Sequence, residues 1–175
     1  MKRTVSWKDY FVEQTAYHYW ANEVLFESLE HLDAVALASS QGLYFDTIHH
    51  TMDHILLVAK QWRARLLGQE ITPDFFKLHH PNWGELKSAL RVEMLELQAW
   101  LNIQTDSCFD EEVTYQSIEG GERSNTVRDM LTHLMFHMAH HRGQVSGAAT
   151  RLGATAAEMD FIYYRRFVDA RNLMG

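Results

Sequence analysis

Proline occurs at only two positions, 73 and 81. An interior proline removes a helical hydrogen bond and clashes with the preceding turn, so the chain on either side of that pair is free to form long helices. Its apolar residues recur at the matching spacing. The first pattern runs from Thr4 to about Glu30 through Phe11, Ala16, Tyr19, Trp20, Val24 and Leu25, with Ser6-Trp-Lys-Asp9 as a capping arrangement at its start. The second begins near Asp46 and ends at Leu67, where Gly68 can take the left-handed conformation that closes a helix. Its stretch Ile55 to Ala59 is apolar nearly all round, as suits a bundle interior.

Residues 68–82, which hold both prolines, read as a long loop. A third helix follows from about Asn82 to Ile103, with Leu86, Leu90, Met94, Leu97 and Leu101 at helical spacing. Val113 to Arg123, centred on Gly120-Gly121, reads as a short hairpin with a two-residue turn. The capping pattern Thr126-Val-Arg-Asp129 opens a fourth long helix that ends at Leu152 and Gly153, and a last helix covers about Ala156 to Asn172. Without repeats or a break in composition, residues 1–175 read as one all-α domain: a four-helix bundle with an additional C-terminal helix and a short hairpin before helix four.

Charge and composition exclude several functions. With 16 Lys+Arg against 23 Asp+Glu the formal net charge is −7, the wrong sign for a general nucleic-acid binder. The longest strongly apolar run, Ile55 to Ala59, is far shorter than the ~20 residues needed to cross a bilayer. No apolar segment follows the basic start, so no secretion signal is expected. The lone Cys108 allows no internal disulfide and fits a reducing cytoplasm; its acidic neighbours argue against a reactive thiolate.

The functional signal lies among the 11 histidines. His133, His137 and His141 follow at i, i+4 steps, ~40° apart on one helix face, and Gln144 and Ala148 continue it. Two imidazoles one turn apart can bind one metal ion, which suits zinc, nickel or iron. A third ligand must come from another helix, and the second helix offers His50 and His54. Spacing alone leaves all five open, and each taken singly is equally a hydrogen-bonded core or surface histidine. His54 lies on the flank of its helix's apolar stripe and faces inward only if another helix covers that flank. The chain has no His-Glu-x-x-His or Glu-x-x-His motif, no Gly-x-Ser-x-Gly elbow and no phosphate-binding glycine loop.

Several stretches resemble the DinB/YfiT-like superfamily of damage-inducible proteins over almost the full length. They are Tyr17-His-Tyr-Trp-Ala-Asn22, Thr47-Ile-His-His-Thr-Met-Asp-His54 with Trp62, Phe136-His-Met-Ala-His-His-Arg-Gly-Gln144, and Ala157 to Arg165. The resemblance implies a four-helix bundle, often a homodimer, with a divalent metal, nickel or zinc first and iron as a further option. It implies His54, His137 and His141 as the metal ligands, with His50 and His133 as neighbours. His140 projects to the other side of His137 and reads as a packing or hydrogen-bonding residue. Family members with assigned activity resemble metal-dependent transferases of low-molecular-weight thiols, or hydrolases of small molecules. A non-catalytic ligand-binding or stress-response protein and a structural dimeric bundle are the alternatives.

Other residues are read structurally. Trp20, Tyr19 and Trp62 fit the core, Gly143 and Gly147 a close helix approach, and Arg142 a structural pairing. His79-His80 reads as a solvated loop pair and Asp53 as solvent-facing, while Gln144 is placed to bond a ligand or substrate. Residues 123–175 carry seven arginines and four acids, against nine basic and 19 acidic residues before them. The histidine-rich end is therefore the basic end, which favours an anionic small substrate.

Overall fold

Four long helices form the body of the computed structural model, which describes residues 6–174. They are α1 (Trp7–Ser28), α3 (Ile48–Leu66), α4 (Trp83–Asn102) and α5 (Val127–Arg151); α2 (Ala34–Leu37) is one short turn and α6 (Phe161–Met174) closes the chain. Thr4, where the sequence pattern begins, lies outside the described residues. The expected caps form: the Ser6 hydroxyl accepts from the Asp9 amide and the Thr126 hydroxyl from the Asp129 amide, both at 3.1 Å. Thr47 caps α3 in the same way, accepting from His50. No helix among the described residues is long and apolar enough to cross a membrane.

The core is continuous through the bundle. Phe11, Leu25, Ile55, Leu56, Leu90, Met94, Leu131 and Met138 are all buried in it. Around the bundle, α1 lies between α4 and α5, and α3 lies between the same two helices. Direction follows from cross-helix pairs. Arg91 pairs with Glu23, and Lys8 reaches the Asn102 carbonyl, so α1 and α4 are antiparallel. His49 meets Trp83 while Arg63 pairs with Glu93, so α3 and α4 run parallel. His54 meets His137 and Trp62 meets His133, so α5 runs against α3.

Parallel neighbours need a long return, and residues 67–82 provide it by running back along α3. Asp53 anchors that return. Its carboxylate, fully buried, accepts from the His79 amide at 2.5 Å, the His80 amide at 3.3 Å and His80 Nδ1 at 2.6 Å. The solvent-facing Asp53 and solvated His79-His80 expected from sequence are thus corrected in part: the His79 ring is exposed, but the backbone of both histidines is tied to the helix. The return segment itself covers the face of α3 that the helical wheel assigns to water.

The hairpin also differs from expectation. Strands β1 (Glu112–Gln116) and β2 (Glu122–Thr126) pair antiparallel from Glu112↔Thr126 to Gln116↔Glu122. The turn takes residues 117–121, closed by Ser117 N–H donating to the Gly121 carbonyl at 2.9 Å. Gly120 and Gly121 both hold positive φ, at 93° and 82°, which other residues adopt only with strain. At the C-terminal end, α6 starts at Phe161 and not at Ala156. The Met159 carbonyl accepts from the Tyr17 hydroxyl at 2.8 Å, a tertiary bond that replaces a helical one. Gly143 and Gly147 permit no close approach, because a Cβ at either meets nothing within 4 Å.

Asp53→Ala should leave the loop amides unpaired and destabilise the protein by about 2–4 kcal/mol. Hydrogen exchange in residues 69–82 should rise above that of α4, and equal protection of this segment in the variant and the wild type would contradict the anchoring role.

Candidate metal centre

The antiparallel contact of α3 with α5 determines which histidines meet. His54 Nε2 and His137 Nε2 lie 3.2 Å apart, and one ring nitrogen from each of His54, His137 and His141 falls within a 4.8 Å cluster. Two nitrogens at 2.0–2.1 Å from a tetrahedral ion are about 3.3 Å apart, so the closest pair already has chelating separation. The bare flank of α3 that left His54 undecided in the sequence is covered by α5, and His54 is only 7% exposed.

The rings are held in the neutral form that can donate to a metal. Burial, followed by repulsion from the other imidazoles, lowers the pKa of both His54 and His137 to about 3. Burial also lowers that of His141. All three rings are therefore neutral at pH 7, with lone pairs for a borderline-soft divalent ion. His141 Nδ1–H donates to Gln144 Oε1 at 2.8 Å, which leaves its Nε2 free. Gln144 thus bonds a ring of the cluster, as its place on the helix face suggested. The Nδ1 atoms of His54 and His137 are buried without a partner.

The other histidines fall outside the cluster. His50 Nε2 donates to the Phe75 carbonyl at 3.1 Å, fastening the return loop. His133 packs against Trp62 with ring centres 4.8 Å apart. His140 is exposed and makes only an edge contact with His141. Cys108 lies away from the site, its thiol pKa raised by burial and by Glu111. Arg142 is structural, as expected, but without an acid: its buried guanidinium donates to His18 Nδ1 at 3.0 Å and to Asn22 Oδ1 at 3.2 Å.

A cavity of about 560 Å³ opens onto His54 and His137. Phe45 stacks on the His54 ring at 3.9 Å between centres, and Phe75 from the return loop meets it edge-on. Trp62, Arg65 and Tyr115 form the far wall. Trp62 therefore lines a cavity and is not sealed core, while Trp20 and Tyr19 line a second groove between α1 and α6. Phe45, Phe75 and Tyr115 carried no sequence signal, since loops and a hairpin deliver them. Arg65 did: positions 54, 58, 61, 62 and 65 share one face of α3 at helical spacing.

The comparisons agree with this architecture. The profile of the DinB family matches residues 1–171. Protein DinB of Bacillus subtilis (strain 168) is 22% identical over 162 residues, spanning 89% of this chain and 94% of that protein. Among solved structures, YfiT from Bacillus subtilis, described as a probable metal-dependent hydrolase with an unusual four-helix bundle topology, matches with a TM-score of 0.68. It is 14% identical, over 89% of this chain and 94% of that one, a likeness of fold.

The depressed histidine pKa values fix a pH dependence. Between about pH 6.5 and 3 the unfolded chain binds protons at His54 and His137 that the folded chain rejects. Their contribution is complete above about 6.5 and is lost as pH falls. The melting temperature of metal-free protein should drop across that window, and His54→Gln/His137→Gln should flatten the drop. An unchanged slope in the double variant would remove these two residues as its source.

Proposed function

The chain belongs to the DinB family, and from that membership and its histidine cluster we propose a metal-dependent hydrolase acting on a small molecule, with His54, His137 and His141 holding one divalent ion. The observation that carries this reading is the convergence of three neutral imidazole nitrogens within 4.8 Å, with two of the three rings facing a cavity. A site of three histidines and no fourth protein ligand is an open site, the arrangement used for chemistry more than for structure. When bound, such an ion would supply Lewis acidity, bringing the pKa of a bound water down toward ~7 and holding a bound thiol as its thiolate.

The chain's own residues do the rest. Gln144 fixes the tautomer of His141. Phe45 and Phe75 cover His54 and restrict water to the cavity side. A thiol admitted to the same site turns the chemistry into thiol transfer, the second family activity, so the assay carries an arm for each. The description of YfiT as a hydrolase supports the hydrolytic version. Zinc and nickel both suit the donor set.

Purified without a histidine tag, the protein should hold about one ion per chain. His137→Ala or His141→Ala should lower occupancy at least tenfold, while His133→Ala should leave it intact. Loss of the ion from His133→Ala but not from His141→Ala would mean that a different pair on the α5 face binds it. Chelation should preserve helical circular dichroism and cooperative melting, because the bundle has a large core of its own; loss of helix would make the ion structural.

Turnover of an ester or amide panel should rise from acidic to neutral pH, since protonated imidazoles release the ion. It should need metal but no thiol, and equal product from wild type and His141→Ala would remove the ion from the mechanism.

A further inference from the structure

Arg65 is a buried cation on the cavity wall, and among the described residues no carboxylate forms an ion pair with it. Its side chain projects from the last turn of α3, 7% exposed, and packs against two aromatic rings that meet edge-to-face. The guanidinium carbon is 4.7 Å from the centre of Trp62 and 4.2 Å from that of Tyr115. Its one hydrogen bond is from Nη2 to the Gln116 carbonyl, at 3.1 Å. Among the described residues no carboxylate pairs with it. Contrast Arg63, two residues earlier, which is held by Glu93 and Glu96.

A guanidinium removed from water without a counter-charge is costly. The aromatic faces and the negative end of α3 offset part of that cost. Burial lowers the pKa of Arg65, although the group remains charged near neutrality. The charged groups nearby are few, and Glu70 of the return segment acts on Arg65 through space without pairing with it. Glu119 and Arg123 sit at the exposed hairpin side of the cavity, and neither hydrogen-bonds Arg65.

Position gives this cation a meaning. Arg65 lies eleven residues beyond His54, about 16 Å along α3 at 1.5 Å per residue. It leans over Trp62, whose ring touches His133, the next histidine along α5 from His137. The cavity therefore holds the histidine cluster and the guanidinium at separate places, joined by a largely apolar wall from Val58, Trp62, Phe75 and Tyr115 that Gln61, Asn125 and His133 interrupt.

We propose that Arg65 is the anchoring subsite for a carboxylate of the substrate, so that the preferred substrate is an elongated molecule with an apolar middle, an anionic tail at Arg65 and its reactive end at the histidines. This rests on the cavity being the substrate site, as proposed above. A planar carboxylate suits a guanidinium that is held by two aromatic contacts and spends one donor on Gln116, because two parallel charge-assisted bonds can form with the donors that remain. Arg65 acts by positioning.

The test uses full-length protein and two matched probes, 4-phenylbutyrate and the neutral 4-phenylbutanamide, followed by tryptophan fluorescence and by the Nε–H resonance of Arg65. In chelated wild-type protein the acid should bind at least tenfold more tightly than the amide, and only the acid should shift the Arg65 resonance. Arg65→Gln should bring the ratio to about one, and Arg123→Gln should retain the preference. Equal binding of the two probes by wild type overturns the proposal. So does a preference that survives Arg65→Gln, or one seen only after zinc is added, which would put the carboxylate on the ion. The resonance is read in wild type, so the test stands even if Arg65→Gln fails to fold. Because the deciding arm contains no metal, its failure is separate from failure of the hydrolase reading.

Discussion

Two neighbouring helices that run the same way cannot be joined by a tight turn, and α3 and α4 are such a pair. The chain must travel back along the bundle between them, and it does so over the face of α3 that bears Asp53, with Phe75 reaching the His54 ring. One topological requirement thus explains the long proline-bearing loop, the burial of Asp53 and the presence of Phe75 beside the histidine cluster. On its other side the histidine cluster opens to the cavity, whose wall the hairpin completes by setting Tyr115 and the Gln116 carbonyl against Arg65.

Buried charge is distributed unevenly around that frame. Between α1 and α5, Arg142 bonds a neutral His18, whose pKa is driven well below the usual value by burial and by the guanidinium itself. That bond and the one to Asn22 join the helix carrying His137 and His141 to the opposite side of the bundle. Since Arg142 follows His141 directly in sequence, the network limits rotation of α5 about its axis and so holds the histidine cluster in place. Arg63 follows another rule: it is neutralised by Glu93, itself only 2% exposed, and its role is to join α3 to α4.

Residues with a local cause were readable from the sequence. The Ser6 and Thr126 caps, the Gly68 and Gly153 stops and the 3.6-residue spacing of Leu86 to Leu101 each depend on neighbours in the chain. The four long helices follow from them. The i, i+4 spacing put His137 and His141 on one face, while the inclusion of His54 came from family resemblance, because nothing in α3 itself says which helix covers its flank. Asp53 was misread for the same reason: its partners lie in a loop that has no period. The two-residue turn at Gly120-Gly121 was also misread, since the glycines mark where φ is positive and not where the strands stop pairing. The empty space beside Gly143 and Gly147 is equally a tertiary matter.

The cavity walls come from two kinds of structure. The histidines and Arg65 stand on helices whose other faces build the continuous core, whereas Phe75, Tyr115 and Ile118 stand on connections that contribute little to it. Loops of this kind accept insertions and substitutions at small cost in stability. Changes in the cavity wall can therefore accumulate in the crossover and the hairpin while the helices, and the histidine cluster they hold, stay as they are. Such a division lets one scaffold reshape its cavity without rebuilding the cluster.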